Sequence, residues 1–72
     1  MNFNKRIRDI REDRDYLQKD IATALNITTQ QYQLYESGQR AFKYNHIIEL
    51  SKFYKLSADY ILGLTDEPRP LK

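Results

Sequence analysis

The sequence predicts an all-α domain, and three observations carry the prediction. Apolar residues recur at three- and four-residue spacing along most of the chain. Capping and staple signals open two of these runs, and glycines close them at Gly38 and Gly63. Two glycines, two prolines and few adjacent β-branched residues favour helices over strands.

Phe3, Ile7 and Ile10 form one apolar stripe, which predicts a first helix over residues 3–13. Asp13-Arg14-Asp15 ends it, with Asp15 able to take a left-handed conformation. Tyr16 and Leu17 lead into a second helix whose inward positions are Ile21, Ala22 and Leu25, and Asn26 is its left-handed terminator. The third helix has the fullest start signal. Thr28 and Gln31 form a T-x-x-Q capping box, and Ile27 and Tyr32 occupy the two positions of a hydrophobic staple. A fourth helix over residues 44–54 buries Ile47, Leu50, Ser51 and Tyr54, although Phe42-Lys43-Tyr44 offers no good capping residue. The fifth begins at Ser57, with Leu56 and Ile61 as a second staple, and ends at Gly63. Residues 65–72 hold two prolines and no apolar period, so a loose C-terminal tail is expected after a domain of residues 1–64.

A chain of 72 residues makes one domain, and at this size only about 60% of the unfolded surface is buried. No cysteine is available for disulfides or a thiolate metal site, a composition that fits a reducing cytoplasm. The N-terminus lacks the apolar run of a signal peptide, and no segment approaches a membrane span. His46 is the only histidine and is expected to be exposed, with no carboxylate at ligand spacing. No Gly-rich phosphate loop and no nucleophile–base arrangement appears, so neither catalysis nor a cofactor is implied. Asp9, Glu12 and Asp13 read as a solvated helix face. Of six tyrosines, Tyr16, Tyr32, Tyr35 and Tyr54 are assigned to the core. Phe53 and Tyr60, if exposed, would mark a dimer surface.

The net charge is only +2, so its distribution carries more information than its sum. Five basic residues face three acidic ones between Lys5 and Arg14, Arg40 and Lys43 stand in a loop without acids, and Asp59, Asp66 and Glu67 gather near the C-terminus. In contrast, the fifteen residues from Ile21 to Tyr35 carry no charge in a chain that is 31% charged. At about 100° per residue, Thr28, Tyr32, Tyr35 and Glu36 fall on one side of the third helix. Gln30, Gln33, Leu34 and Ser37 fall on the other, with Thr29 and Gln31 flanking. An outward face of amides, hydroxyls and one leucine suits base edges: glutamine pairs with adenine N6 and N7, and Leu34 or Thr29 packs on a thymine methyl. Glutamines that merely decorate a soluble helix are the alternative, and Leu34 fits that alternative worst.

Gln18 to Gly38 resembles the helix-turn-helix of the lambda-repressor-like Cro/XRE family of bacterial and phage regulators, and the likeness covers about residues 3–64. Gln18 opening the second helix, Ala22 where the two helices touch, the Glu36-x-Gly38 ending and the run Asp59-Tyr60-Ile61-Leu62-Gly63 carry it. The resemblance implies a compact five-helix lambda-repressor-like DNA-binding domain that reads the major groove of double-stranded DNA with its third helix. It implies a transcriptional regulator, foremost a repressor, acting as a homodimer on a near-palindromic operator. Thr29, Gln30, Gln33 and Leu34 would contact bases. Gln18, Thr28, Gln39, Arg40, Lys43, Tyr44 and Asn45 would contact phosphates. Arg11 and Glu36 would form a partly buried ion pair. No room remains for a ligand-sensing domain, so control would fall to concentration, proteolysis or a regulatory protein partner. The competing reading is a protein-interaction module, antitoxin-like or adaptor, using Leu34, Phe53 or Tyr60.

Four positions depart from the family pattern. Leu17 stands where a serine or threonine cap is preferred, so a ragged start to the second helix is expected. Asn26 replaces a glycine, and Tyr32 replaces the usual Ile or Val and must place a hydroxyl in the core. Phe42 replaces the loop proline ahead of the fourth helix.

Overall fold

A computed structural model describes residues 3–68 and contains five helices among them: α1 Phe3–Asp13, α2 Gln18–Ala24, α3 Thr29–Glu36, α4 Tyr44–Tyr54 and α5 Ala58–Ile61. Each ends on a residue in the left-handed region, and these residues set the turns. Asp15 (φ 59°), Asn26 (φ 59°), Gly38 (φ 87°), Lys55 (φ 57°) and Gly63 (φ 78°) follow the five helices in order. After α1, the amides of Asp15 and Tyr16 donate back to Glu12 and Arg11; after α2, those of Asn26 and Ile27 donate to Thr23 and Ala22. This is the Schellman pattern, which satisfies carbonyls that a helix end leaves bare. Four of the five terminators are those the sequence marks. Lys55 is the exception, and a lysine there bears a steric cost that glycine would not.

The starts are less uniform. At α3 the full capping box forms: Thr28 Oγ1 accepts from the Gln31 amide at 3.1 Å, and the Thr28 amide donates to Gln31 Oε1 at 3.0 Å. Ser57 caps α5 in the same way through the Tyr60 amide. The ragged start expected of α2 is corrected by Asp20, whose carboxylate accepts from the Leu17 amide at 2.8 Å. Leucine has no acceptor, so only that half of a box exists. α4 is opened by His46, whose Nδ1 accepts from the Lys43 amide at 3.4 Å, with Phe42 and Ile47 in staple positions against the core.

The core joins Ile7 and Ile10 of α1, Ile21, Ala22 and Leu25 around α2, Tyr32 of α3, Leu50 and Tyr54 of α4, and Leu56 and Ile61 about α5. α2 packs on α3, α4 on α5, and α1 touches both α3 and α5. Ile47 packs against this cluster and Ser51 is buried, donating to the Leu56 carbonyl.

Away from α3, two expectations about burial fail. Tyr16 is 37% exposed instead of buried, because it lies in the α1–α2 turn, where its ring leans on Phe53 and Tyr54 from outside. His46 is 7% exposed instead of solvent-facing, because α4 turns it toward the Tyr35 and Phe42 rings. Arg6 was given no role by the sequence, yet it is buried. Its guanidinium lies 4.2 Å from the Tyr60 ring centroid and donates to the carbonyls of Tyr60 and Thr65 and to Asp66. It ties the segment after α5 to α1, including the first residues of the expected tail; residues 69–72 of that tail lie outside the described residues.

Lys55→Gly should raise the urea midpoint, by about 1 kcal/mol of stability, through relief of the left-handed cost. Gly38→Ala should lower it by about as much or more, since the added Cβ also meets Asn4 Oδ1 at 3.3 Å. An unchanged midpoint for Lys55→Gly would mean that Lys55 carries no such cost.

Candidate nucleic-acid interface

The α3 sequence splits into two faces because it is short, capped at Thr28 and stapled inward by Tyr32. Tyr32, Tyr35 and Glu36 are buried, while Gln30, Gln31, Gln33 and Ser37 are exposed and Thr29 and Leu34 half-buried. Helical spacing puts Thr28 on the inward side, but only its hydroxyl is engaged; the residue stays exposed at the cap. Gln30, Gln33, Leu34 and Ser37 line one open concave surface together with Gln18 and Gln39. Two residues assigned to phosphates thus stand beside three assigned to bases. Thr29 lies outside that lining, at the first turn of α3.

The expected phosphate loop is also outward. Gln39, Arg40, Lys43, Tyr44 and Asn45 are all exposed, Tyr44 at 82%. Neither Arg40 nor Lys43 is in an ion pair among the described residues. Phe42 holds this loop to the core. Its ring stacks on Tyr35 (5.1 Å, 24°) and meets Phe3, Tyr32 and His46 edge-on. A stacked and edge-on cluster of this kind contributes beyond its buried area. Phe42 therefore fixes the turn by ring packing. The sequence signal for it was the Phe42/Ile47 spacing, the same one recognised at Tyr32 and Ile61.

Behind α3 lies the ion pair. Arg11 Nε and Nη2 each donate to the Glu36 carboxylate at 2.9 Å, and Nη1 donates to the Tyr16 carbonyl at 2.9 Å. Gln18 Nε2 donates to Glu36 Oε1 at 3.3 Å, so the Gln18 amide is held from within as it faces the groove. Burial pushes the Glu36 carboxyl up, but the Arg11 guanidinium, with Tyr32 and Gln18 nearby, outweighs it and leaves the carboxyl below its usual range. Tyr32 is pushed strongly up, first by burial and then by the Glu36 charge. That contact is electrostatic: the Tyr32 hydroxyl, like that of Tyr54, has no partner in hydrogen-bonding geometry among the described residues. The His46 imidazole is pushed down by burial and by the Lys43 charge.

Phe53 is partly exposed beside Tyr16, whereas Tyr60 is half-covered by the Arg6 guanidinium. Among the described residues no group of three or more His, Cys, Asp or Glu could hold a metal ion, and no helix is long and apolar enough to cross a membrane.

A family model described as helix-turn-helix matches residues 7–61, a span that runs from the α1 core stripe to the end of α5. The chain belongs to the Cro/C1-type helix-turn-helix family. Its all-α, lambda-repressor-like fold agrees with that membership. Among curated helix-turn-helix relatives, it is 32% identical over 94% of its length to an uncharacterised regulator, YobD, of Bacillus subtilis. It is 35% identical over 88% to the transcriptional regulator ImmR of the same organism, and 35% identical over 72% to the cryptic phage CTXphi transcriptional repressor RstR of Vibrio cholerae. The matches span 61%, 50% and 47% of those proteins, so the chain corresponds to about half of each. No solved structure gives a significant match.

Two of these ionisations make the stability of the fold depend on pH. The His46 imidazole has a folded pKa below its ordinary 6.5, so its contribution is complete above 6.5 and is lost as pH falls through the lowered value. The Glu36 contribution, with its pKa lowered from 4.5, is complete above 4.5 and is lost only as pH falls below that. Urea titrations should therefore show stability beginning to fall as pH drops below 6.5, ahead of the carboxylates. His46→Gln, which keeps a side-chain acceptor for the Lys43 amide, should flatten that region and leave the acid limb. An equal slope in both proteins would exclude His46 as the source.

Proposed function

We propose that this chain binds duplex DNA sequence-specifically as a transcriptional regulator, with α3 in the major groove. The observation that carries the reading is the pairing of an uncharged, exposed amide face on α3 with the exposed cations Arg40 and Lys43 beside it. Gln30, Gln33, Leu34 and Thr29 read base edges. Gln18, Thr28, Gln39, Arg40, Lys43, Tyr44 and Asn45 hold the backbone, supplying position and salt-dependent affinity without sequence information. The relatives named as transcriptional regulators support the class, and the one named as a repressor supports the sign of control. Two copies on an operator would place their α3 helices about 34–36 Å apart. The part-exposed Phe53 and Tyr16 rings offer apolar surface for contact between copies.

Selection from random duplex DNA should enrich one motif with two-fold character. Gln30→Ala should relax the motif at one base pair, at a cost of about 1–3 kcal/mol in discrimination. Arg40→Ala and Lys43→Ala should weaken every sequence alike and flatten the salt dependence. Failure to enrich any motif would favour the protein-interaction reading, and an unaltered motif for Gln30→Ala would remove the base contact assigned to it.

A further inference from the structure

We infer that Arg8, on α1, is a DNA-backbone contact that supplies positive charge to the α1 flank of the reading face. The inference rests on the DNA-reading role proposed above. The concave surface along α3 does not end at Gln18 and Ser37. A second hollow shares Gln18, Gln33 and Ser37 with it and adds Arg8, Arg11 and Glu36. A third continues from Glu36, Ser37 and Arg8 to Asn4 and Lys5. Arg8 lines both of these continuations.

The local charge balance singles out Arg8. The Glu36 carboxylate is neutralised by the two Arg11 bonds, and Lys5 is bridged to Asp9 at 2.7 Å. Arg8 is exposed and forms no ion pair among the described residues, although Glu12 lies one turn along the same helix. Arg8 therefore keeps its guanidinium outside any ion pair among the described residues, next to a face with no charge from Thr29 to Tyr35. When a helix lies in the major groove, a sugar–phosphate strand runs along each flank, and phosphate contacts fix the register. A long, exposed guanidinium on the neighbouring helix, beside the α3 flank instead of on α3, is placed for a strand and not for base edges. Its planar fork suits phosphate oxygens.

The test uses the duplex selected by the unmodified protein and compares it with Arg8→Ala and Arg8→Lys. One lost phosphate contact lowers the slope of log affinity against log salt by about 0.9. The disadvantage of Arg8→Ala should therefore shrink roughly threefold between 50 and 200 mM salt, by that same relation. The selected motif should stay the same, and Arg8→Lys should restore most of the slope. Thermal unfolding of both variants should match the unmodified protein, since no bond is removed. An unchanged slope for Arg8→Ala, with the motif still enriched, overturns the Arg8 assignment and leaves the DNA reading intact. A motif altered at one base pair overturns the backbone assignment in favour of a base contact. If the unmodified protein enriches no motif, the underlying reading fails and Arg8 with it.

Discussion

The Glu36 carboxylate, almost fully buried at the last residue of α3, is the constraint that organises the fold. A negative charge at a helix C-terminus meets the negative end of the dipole, and burial adds a desolvation cost. Arg11 resolves both by a two-bond grip, and its remaining nitrogen holds the Tyr16 carbonyl in the α1–α2 turn. Gln18, the first residue of α2, reaches the same carboxylate. One buried charge thus collects α1, the α1–α2 turn, α2 and α3. Such a pair contributes little net stability compared with apolar packing, yet an unpaired Glu36 would cost about 3–5 kcal/mol. Its value lies in orientation, because it gives the short α3 one allowed placement on its neighbours.

Aromatic packing does what a small aliphatic core could not. Tyr32 and Tyr54 are among the largest fully buried side chains, and Phe42 joins Tyr35, Phe3 and His46 in a cluster beneath the 39–45 loop. Large rings deliver much buried area per ordered residue, which suits a chain of this size. The cost is two enclosed phenol hydroxyls without hydrogen-bond partners among the described residues, each an expense of about 1–3 kcal/mol. Tyr32 bears it at the centre of α3, where the Glu36 charge adds to burial in raising its pKa.

Most helix boundaries were legible because they depend on local chemistry. Asp15, Asn26, Gly38 and Gly63 announce left-handed turns, and Thr28–Gln31 announces a start, from properties that need no tertiary context. The Arg11–Glu36 geometry could be expected only through family resemblance, since spacing alone says nothing about residues 25 apart. The burial of His46 and the exposure of Tyr16 run against expectation, and the burial of Arg6 has no sequence signal, all for one reason. Polarity or ring size suggests an average burial, whereas the turn geometry and the α4 and α5 packing decided each case. Lys55 was invisible as a terminator because its φ is imposed by the Leu56–Ser51 closure and not by its own preference. Phe42 and His46 carry a readable signal, an apolar pair and an N3 acceptor around Lys43, that does not depend on a serine or threonine cap.

The resulting division of labour is simple. In the proposed DNA reading, charge is withdrawn from the helix that would meet the bases and left at its borders, where backbone contacts would need it. The Arg11–Glu36 pair behind α3 is neutral as a unit, so it adds no net charge to the outward amide face. Side-chain amide NMR of the Gln30 and Gln33 NH2 groups, with the selected duplex added, tests this arrangement most directly. The account predicts large shifts and contacts from these amides to major-groove base protons, with the Tyr54 ring unmoved. Perturbations confined to the Tyr16–Phe53 surface, with both glutamine amides unshifted, would contradict it.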